Sequence, residues 1–228
     1  MDLKRAAAAR ALEFVSSGMC LGLGSGSTSA IFIDLLGKEI QSGRLKDIRG
    51  VPTSEATAQQ SRNLGIPLIS LEDCSELDLA VDGADEVDPD LNLIKGLGKA
   101  LLREKIVEIH ARQLIIIVDE TKMVPRLGSR GPLPIEIIPF EAGAQIRWLN
   151  TLGCRAELWR DENNYPCVTD NHNYLARCWF PEGILEVHTL ASRLESRPGI
   201  VEHGLFLDMA DRVIVAGVDG IKLMERTP

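Results

Sequence analysis

The side chains best suited to acid–base chemistry crowd into residues 77–107, LDLAVDGADEVDPDLNLIKGLGKALLREKIV. Asp82 and Asp85 bracket Gly83 and Ala84, Lys95 precedes Gly96 and Gly98, and Glu104 follows. Paired carboxylates in a turn can exchange protons with a substrate, cap the turn or hold a cation. A lysine among glycines adds a cation to the same stretch, and the glutamate a further titratable group. At ~100° per residue Leu102, Ile106 and Ile109 form one apolar stripe, with Glu104 about 200° from Leu102, and the ordinary reading is a solvated glutamate. Yet its neighbours at i±3 and i±4, Leu101, Val107, Ala100 and Glu108, offer no opposite charge.

A second candidate is the loop Gly22-Leu23-Gly24-Ser25-Gly26-Ser27-Thr28. Glycines let backbone approach a ligand, and amides at a helix start bind anions. Hydroxyls of Ser25, Ser27 and Thr28 add donors, although Ser27 or Thr28 could equally serve as a helix cap. The loop is neither a dinucleotide fingerprint, since Ser27 stands at the sixth position, nor a P-loop, since it lacks lysine. It suits a single phosphate. Thr53, Ser54 and Thr57 form another hydroxyl cluster, an anion site or an N-cap.

The elements that must position these residues alternate. After an N-terminal helix come a strand at 19–23, a helix at 29–41, a strand at 48–52, a helix at 54–64, a short run at 66–71 that reads as a strand, the strand at 77–82, a helix from Lys99 to about Arg112, and a buried strand at 114–118. Such alternation predicts a parallel α/β sheet with charged groups at the strands' carboxyl ends, where ligands sit. The pattern changes at Gly128-Ser129-Arg130-Gly131-Pro132. Beyond it the order strand (133–139), helix (141–152), strand (154–159), strand (173–180), helix (184–195) predicts a small α+β domain, and a last strand at 212–216 with a turn at 217–222 returns to the first sheet. The expected domains are 1–130 plus 207–228, and 131–206.

The chain has 228 residues, 45% hydrophobic, with a net charge of −8. An acidic chain without a basic run is a poor nucleic-acid partner, so an anionic ligand needs a local site. Five cysteines without a C-x-x-C pair read as reduced thiols, and the scattered histidines argue against a metal site. The sequence contains no membrane-length apolar run and no recognisable signal peptide, so a cytoplasmic location is expected.

Several ordered blocks make the chain similar to ribose-5-phosphate isomerase, type A: GLGSGSTS at 22–29, PTSEAT at 52–57, DGADEVD at 82–88, KGLGKALLREKIV at 95–107, VDETK at 118–122, LPIEIIPF at 133–140 and VTDNHNYL at 168–175. The resemblance implies a Rossmann-like three-layer domain with a smaller ferredoxin-like α+β domain, and an aldose–ketose isomerase of the non-oxidative pentose phosphate pathway. It also implies a sugar phosphate as partner, no cofactor or metal, and a homodimer or homotetramer. By the same likeness Glu104 is the base, Asp82, Asp85 and Lys95 are catalytic, and Ser25, Gly26, Ser27, Thr28, Gly83, Ala84, Gly96, Leu97, Gly98 and Lys122 bind substrate. The chain departs from the family at Leu97 and Lys99, which interrupt a usual glycine run, at His172, where glycine is usual, and at Arg177, a commonly acidic position. An amino-sugar phosphate deaminase is the rival enzyme. A sugar-phosphate sensor is the non-enzymatic rival, although the chain has no basic face or helix-turn-helix.

Overall fold

The computed structural model describes residues 2–74 and 76–226. In chain order the elements are α1 (Leu3–Leu12), β1 (Cys20–Leu23), α2 (Ser27–Gln41), β2 (Arg49–Pro52), α3 (Glu55–Asn63), β3 (Leu79–Asp82), β4 (Glu86–Val87), β5 (Leu93–Ile94), α4 (Leu101–Glu108) and β6 (Leu114–Asp119). There follow β7 (Leu133–Ile137), α5 (Ala142–Leu149), β8 (Arg155–Leu158), β9 (Tyr174–Trp179), α6 (Val187–Glu195), β10 (Ile200–His203), β11 (Leu205–Phe206), β12 (Arg212–Gly217) and β13 (Gly220–Glu225). They form two compact units, residues 1–84, 103–122 and 209–228, and residues 85–102 and 123–208.

The first unit is a three-layer α/β fold. Its strands lie in the order β2-β1-β3-β6-β12, all parallel, with β13 added antiparallel beside β12. Both faces are covered, so the central strands are apolar throughout, as in LIIIV at 114–118. On one face Ala7, Ala8 and Ala11 of α1 and Phe32, Ile33 and Leu36 of α2 pack on Leu21, Leu79 and Ile115. On the other, Val107 of α4 packs with Cys20, Val51 and Leu77. The chain departs from β1 first to one side and then to the other, making the β1–β3 boundary a topological switch point, where an α/β sheet opens a crevice at its carboxyl edge.

Three sequence expectations change here. The run 66–71 makes only an isolated bridge, Leu68 to Gly50, because its backbone turns away after one pairing. The segment after Gly217 continues as β13, a full hairpin partner of β12. The helix after Lys99 is confined to Leu101–Glu108 and presents a different face: Leu101, Glu104, Val107 and Glu108 are buried, whereas Ile106 and Ile109 are 43% and 62% exposed. Gly22 contributes to this. A Cβ there would lie 2.8 Å from the Ala80 Cβ and 3.0 Å from a Val107 methyl, so the missing side chain lets the Val107 side of α4 settle on the sheet.

The second unit contains an antiparallel sheet, β10-β7-β9-β8, with α5 and α6 as connections. This β-α-β-β-α-β order is ferredoxin-like. The strand absent from the sequence reading, β10, is short and carries Glu202 and His203, which break its apolar pattern. A three-stranded ribbon, β11-β5-β4, also lies in this unit. Residues 85–102 and 123–130 belong here too, outside the boundaries expected from composition. Ile94, Val124 and Leu127 enter the core of the small sheet, and the buried Glu86 accepts from the amides of Gly128 (2.6 Å), Arg130 (2.9 Å) and Gly131 (2.8 Å).

Candidate active site

In the first unit the loops after β1 and β3 meet at the switch point. Asp82 ends β3 fully buried, and its Oδ1 accepts from the Ser25 amide (2.9 Å), the Ser29 hydroxyl (2.7 Å) and the Gly83 amide (2.7 Å). The carboxylate therefore fixes the glycine loop rather than merely facing it. The Ser25 hydroxyl lies 2.7 Å from Thr53 Oγ1, 2.8 Å from Ser54 Oγ and 3.3 Å from Thr57 Oγ1. Ser54 is also the N-cap of α3, accepting from the Thr57 amide at 3.1 Å, so that cluster caps a helix and braces the loop together.

Gly26, at φ 95°, is the N-cap of α2, which puts Ser27 and Thr28 in its first turn and removes them as caps. The open amides and positive end of a 15-residue helix suit a phosphate there. Lys4, on α1, donates from Nζ to Ser27 Oγ at 2.8 Å, bringing a cation to the same loop. Sequence reading missed it, since only the packing of α1 against α2 joins residues so far apart. Lys122, partly exposed, follows the carboxyl end of β6 in the short 3-10 turn Glu120–Lys122. Gly83 and Ala84 continue directly from Asp82.

Glu104 is 4% exposed. Because α4 carries the chain back from the carboxyl end of β3 to the start of β6, its N-terminal turn lies toward the strands' carboxyl edge. Val107 packs at the level of Gly22, and Glu104 lies one turn nearer that edge on the same helix face. A buried carboxylate on an inward face suits proton transfer far better than a solvated one.

In the second unit Asp85 and the 95–98 turn are held together. Asp85 donates its amide to Ile94 O (2.8 Å), and its Oδ2 accepts from the Leu97 amide (2.9 Å). Leu97 thus contributes through its backbone, and it does not use the left-handed conformation that glycine favours. Gly96 does, at φ 108°, and a Cβ there would press within 2.8 Å of Leu101. Lys95 is 2% exposed; its amide donates to Gly204 O (2.9 Å) and its ammonium lies 5.3 Å from the centre of the Phe206 ring. Gly204 must be small, since a Cβ would fall 2.2 Å from Lys95 O. Neither Gly204 nor Phe206 was visible as a site residue in the sequence, since both are far along the chain, Gly204 in the bend between β10 and β11 and Phe206 in the two-residue β11.

The family model of ribose 5-phosphate isomerase A (phosphoriboisomerase A) matches residues 49–220. A probable ribose-5-phosphate isomerase 3, chloroplastic, of Arabidopsis thaliana is 46% identical over 99% of this chain and 83% of its own length. Ribose-5-phosphate isomerase A of Synechococcus sp. (strain JA-3-3Ab) is 47% identical over 99% of this chain and 98% of its own. Among solved structures, a D-ribose-5-phosphate isomerase in complex with phospho-erythronic acid is similar at a TM-score of 0.95 and 44% identity, covering 99% of this chain and 98% of the other. Ribose 5-phosphate isomerase from Plasmodium falciparum is similar at 0.95 and 37%, covering 99% of each.

Proposed function

The chain belongs to the ribose-5-phosphate isomerase A family, and we propose that it interconverts ribose 5-phosphate and ribulose 5-phosphate through an enediolate. Glu104 takes the proton from C2 of the ring-opened aldose. The electron pair enters the C1–C2 bond and negative charge gathers on O1, where the Lys95 ammonium steadies it. Return of the proton from Glu104 to C1, with transfer of the C2 hydroxyl proton to O1, gives the ketose. Asp82 and Asp85 assist ring opening, and the backbone of Gly83, Ala84, Gly96, Leu97 and Gly98 lines the sugar. The phosphate is held by Ser25, Gly26, Ser27 and Thr28 with Lys122, and Lys4 adds a further charge.

The observation that carries this reading is Glu104: a carboxylate buried on the inward face of α4, in the same α/β unit whose β1 and β3 loops present an anion-suited helix start and a locked aspartate. Phospho-erythronic acid, the ligand of the solved relative, carries a carboxylate that is planar and anionic like an enediolate, which accords with the same intermediate. Homodimer or homotetramer assembly and a place in the pentose phosphate pathway belong to this reading; sedimentation of the purified chain tests the assembly. The activity is tested by following ribose 5-phosphate by NMR with chelator present. Ribulose 5-phosphate should accumulate to equilibrium. Ammonia release from glucosamine 6-phosphate without pentose isomerisation would point to a deaminase instead.

A further inference from the structure

Lys99 at φ 68° and His172 at φ 62° hold left-handed backbone, the region that glycine occupies without strain. A lysine there is strained relative to glycine and persists only where its surroundings hold it. Lys99 closes the turn that carries Gly96, Leu97 and Gly98, its amide donating to Gly96 O at 2.9 Å. Its ammonium lies 5.5 Å from the centre of the Trp159 ring. The Arg177 guanidinium lies 5.2 Å from that ring and 5.1 Å from Trp179, and it donates to Glu157 Oε1 at 2.8 Å. Trp159 is fixed through its backbone, its amide donating to Leu175 O (2.7 Å) and its carbonyl accepting from the Cys167 amide (2.9 Å). Lys99 and Arg177 therefore converge on the one ring of Trp159, whose backbone is paired on both sides.

We propose that Trp159 is a positioning residue for the 95–98 turn, acting through Lys99. The cation–π contact holds at residue 99 the left-handed turn that glycine adopts unaided. The inference rests on the assignment of that turn to substrate binding made above.

The test compares W159A, K99A, the double variant W159A/K99A and the rescue variant W159A/K99G. Each single variant should raise KM for ribose 5-phosphate about two- to fivefold, with a smaller effect on kcat. The W159A/K99A double should rise no further than either single, since both remove one contact. W159A/K99G should return toward the wild-type KM, because glycine needs no anchor, and W159F, which keeps a ring face, should recover most of the loss. Additive effects, or failure of K99G to rescue W159A, would overturn the proposal. If W159A does not fold, the decisive pair is K99A and K99G in the unaltered background: a raised KM in the first alone supports it, and equal values overturn it. Hydrogen exchange of the Leu97–Lys99 amides reads the turn without turnover. Faster exchange in W159A, reversed by K99G, supports the anchor even if the chain proves not to isomerise ribose 5-phosphate; unchanged exchange in W159A overturns it.

Discussion

Asp82 occupies the space in which a side chain at Gly24 would have to sit: a Cβ on Gly24 would lie 2.1 Å from the Asp82 carboxyl carbon. Glycine at this position therefore serves the aspartate as well as the loop's own conformation. Gly24 is further tied by its amide to Val81 O (3.1 Å) and by its carbonyl to the Thr57 hydroxyl (2.9 Å), so it cannot simply retreat.

Gly24→Ala should accordingly cost about 1–3 kcal/mol, the range of an overpacked interior, and lower Tm by several degrees. It should also cut kcat, because Asp82 must move. Calorimetric unfolding and steady-state kinetics check both; an alanine variant with unaltered Tm and kcat would contradict the packing described.

Glu86 makes the complementary point. It sits inside the DGADEVD block beside the proposed catalytic aspartates, yet its carboxylate collects the amides of Gly128, Arg130 and Gly131 in the second unit. Glu86→Gln turns an amide donor toward one of these amides and should cost roughly 1.5–3 kcal/mol. Thermal unfolding measures this. The kcat per folded molecule should fall far less than for substitution of Glu104, and a large kcat loss at unchanged Tm would instead place Glu86 in the chemistry.

The first sheet and its loops were legible in the sequence because glycine punctuation and period-2 runs in long apolar stretches report local structure directly. The ribbon of β4, β5 and β11 was not, since two-residue strands carry no periodicity. The orientation of α4 was misleading for another reason. Its apolar stripe, Leu102, Ile106 and Ile109, suggested the wrong buried face, and the close fit of Val107 against Gly22 reverses it to enclose Glu104 and Glu108. Local pattern names a helix; the surface it meets decides which face is hidden.

Lys4 donates from Nζ to Ser27 Oγ at 2.8 Å, in the loop proposed to hold the phosphate. Lys4→Met should raise KM about two- to fivefold, the worth of an exposed charge pair (~0.5–1 kcal/mol), and leave kcat nearly unchanged. The effect should shrink with added salt. An equal effect at low and high salt would remove Lys4 from phosphate binding.

Lys95 is buried with its ammonium near Phe206. Lys95→Met keeps most of the packing volume and deletes the charge. A kcat loss of about 10²–10³-fold is expected if the ammonium steadies the oxyanion. Kinetics that show a rise in KM alone would make Lys95 a binding contact only.

Glu104 is the group proposed to move the proton between C1 and C2, and Glu104→Gln isolates that role, since glutamine keeps the shape of the side chain and cannot accept the proton. Single-turnover kinetics beside titration calorimetry with ribose 5-phosphate should show turnover reduced about 10²–10⁴-fold with binding retained within a few fold. A Glu104→Gln enzyme that binds ribose 5-phosphate and still turns it over at the wild-type rate would exclude Glu104 as the base.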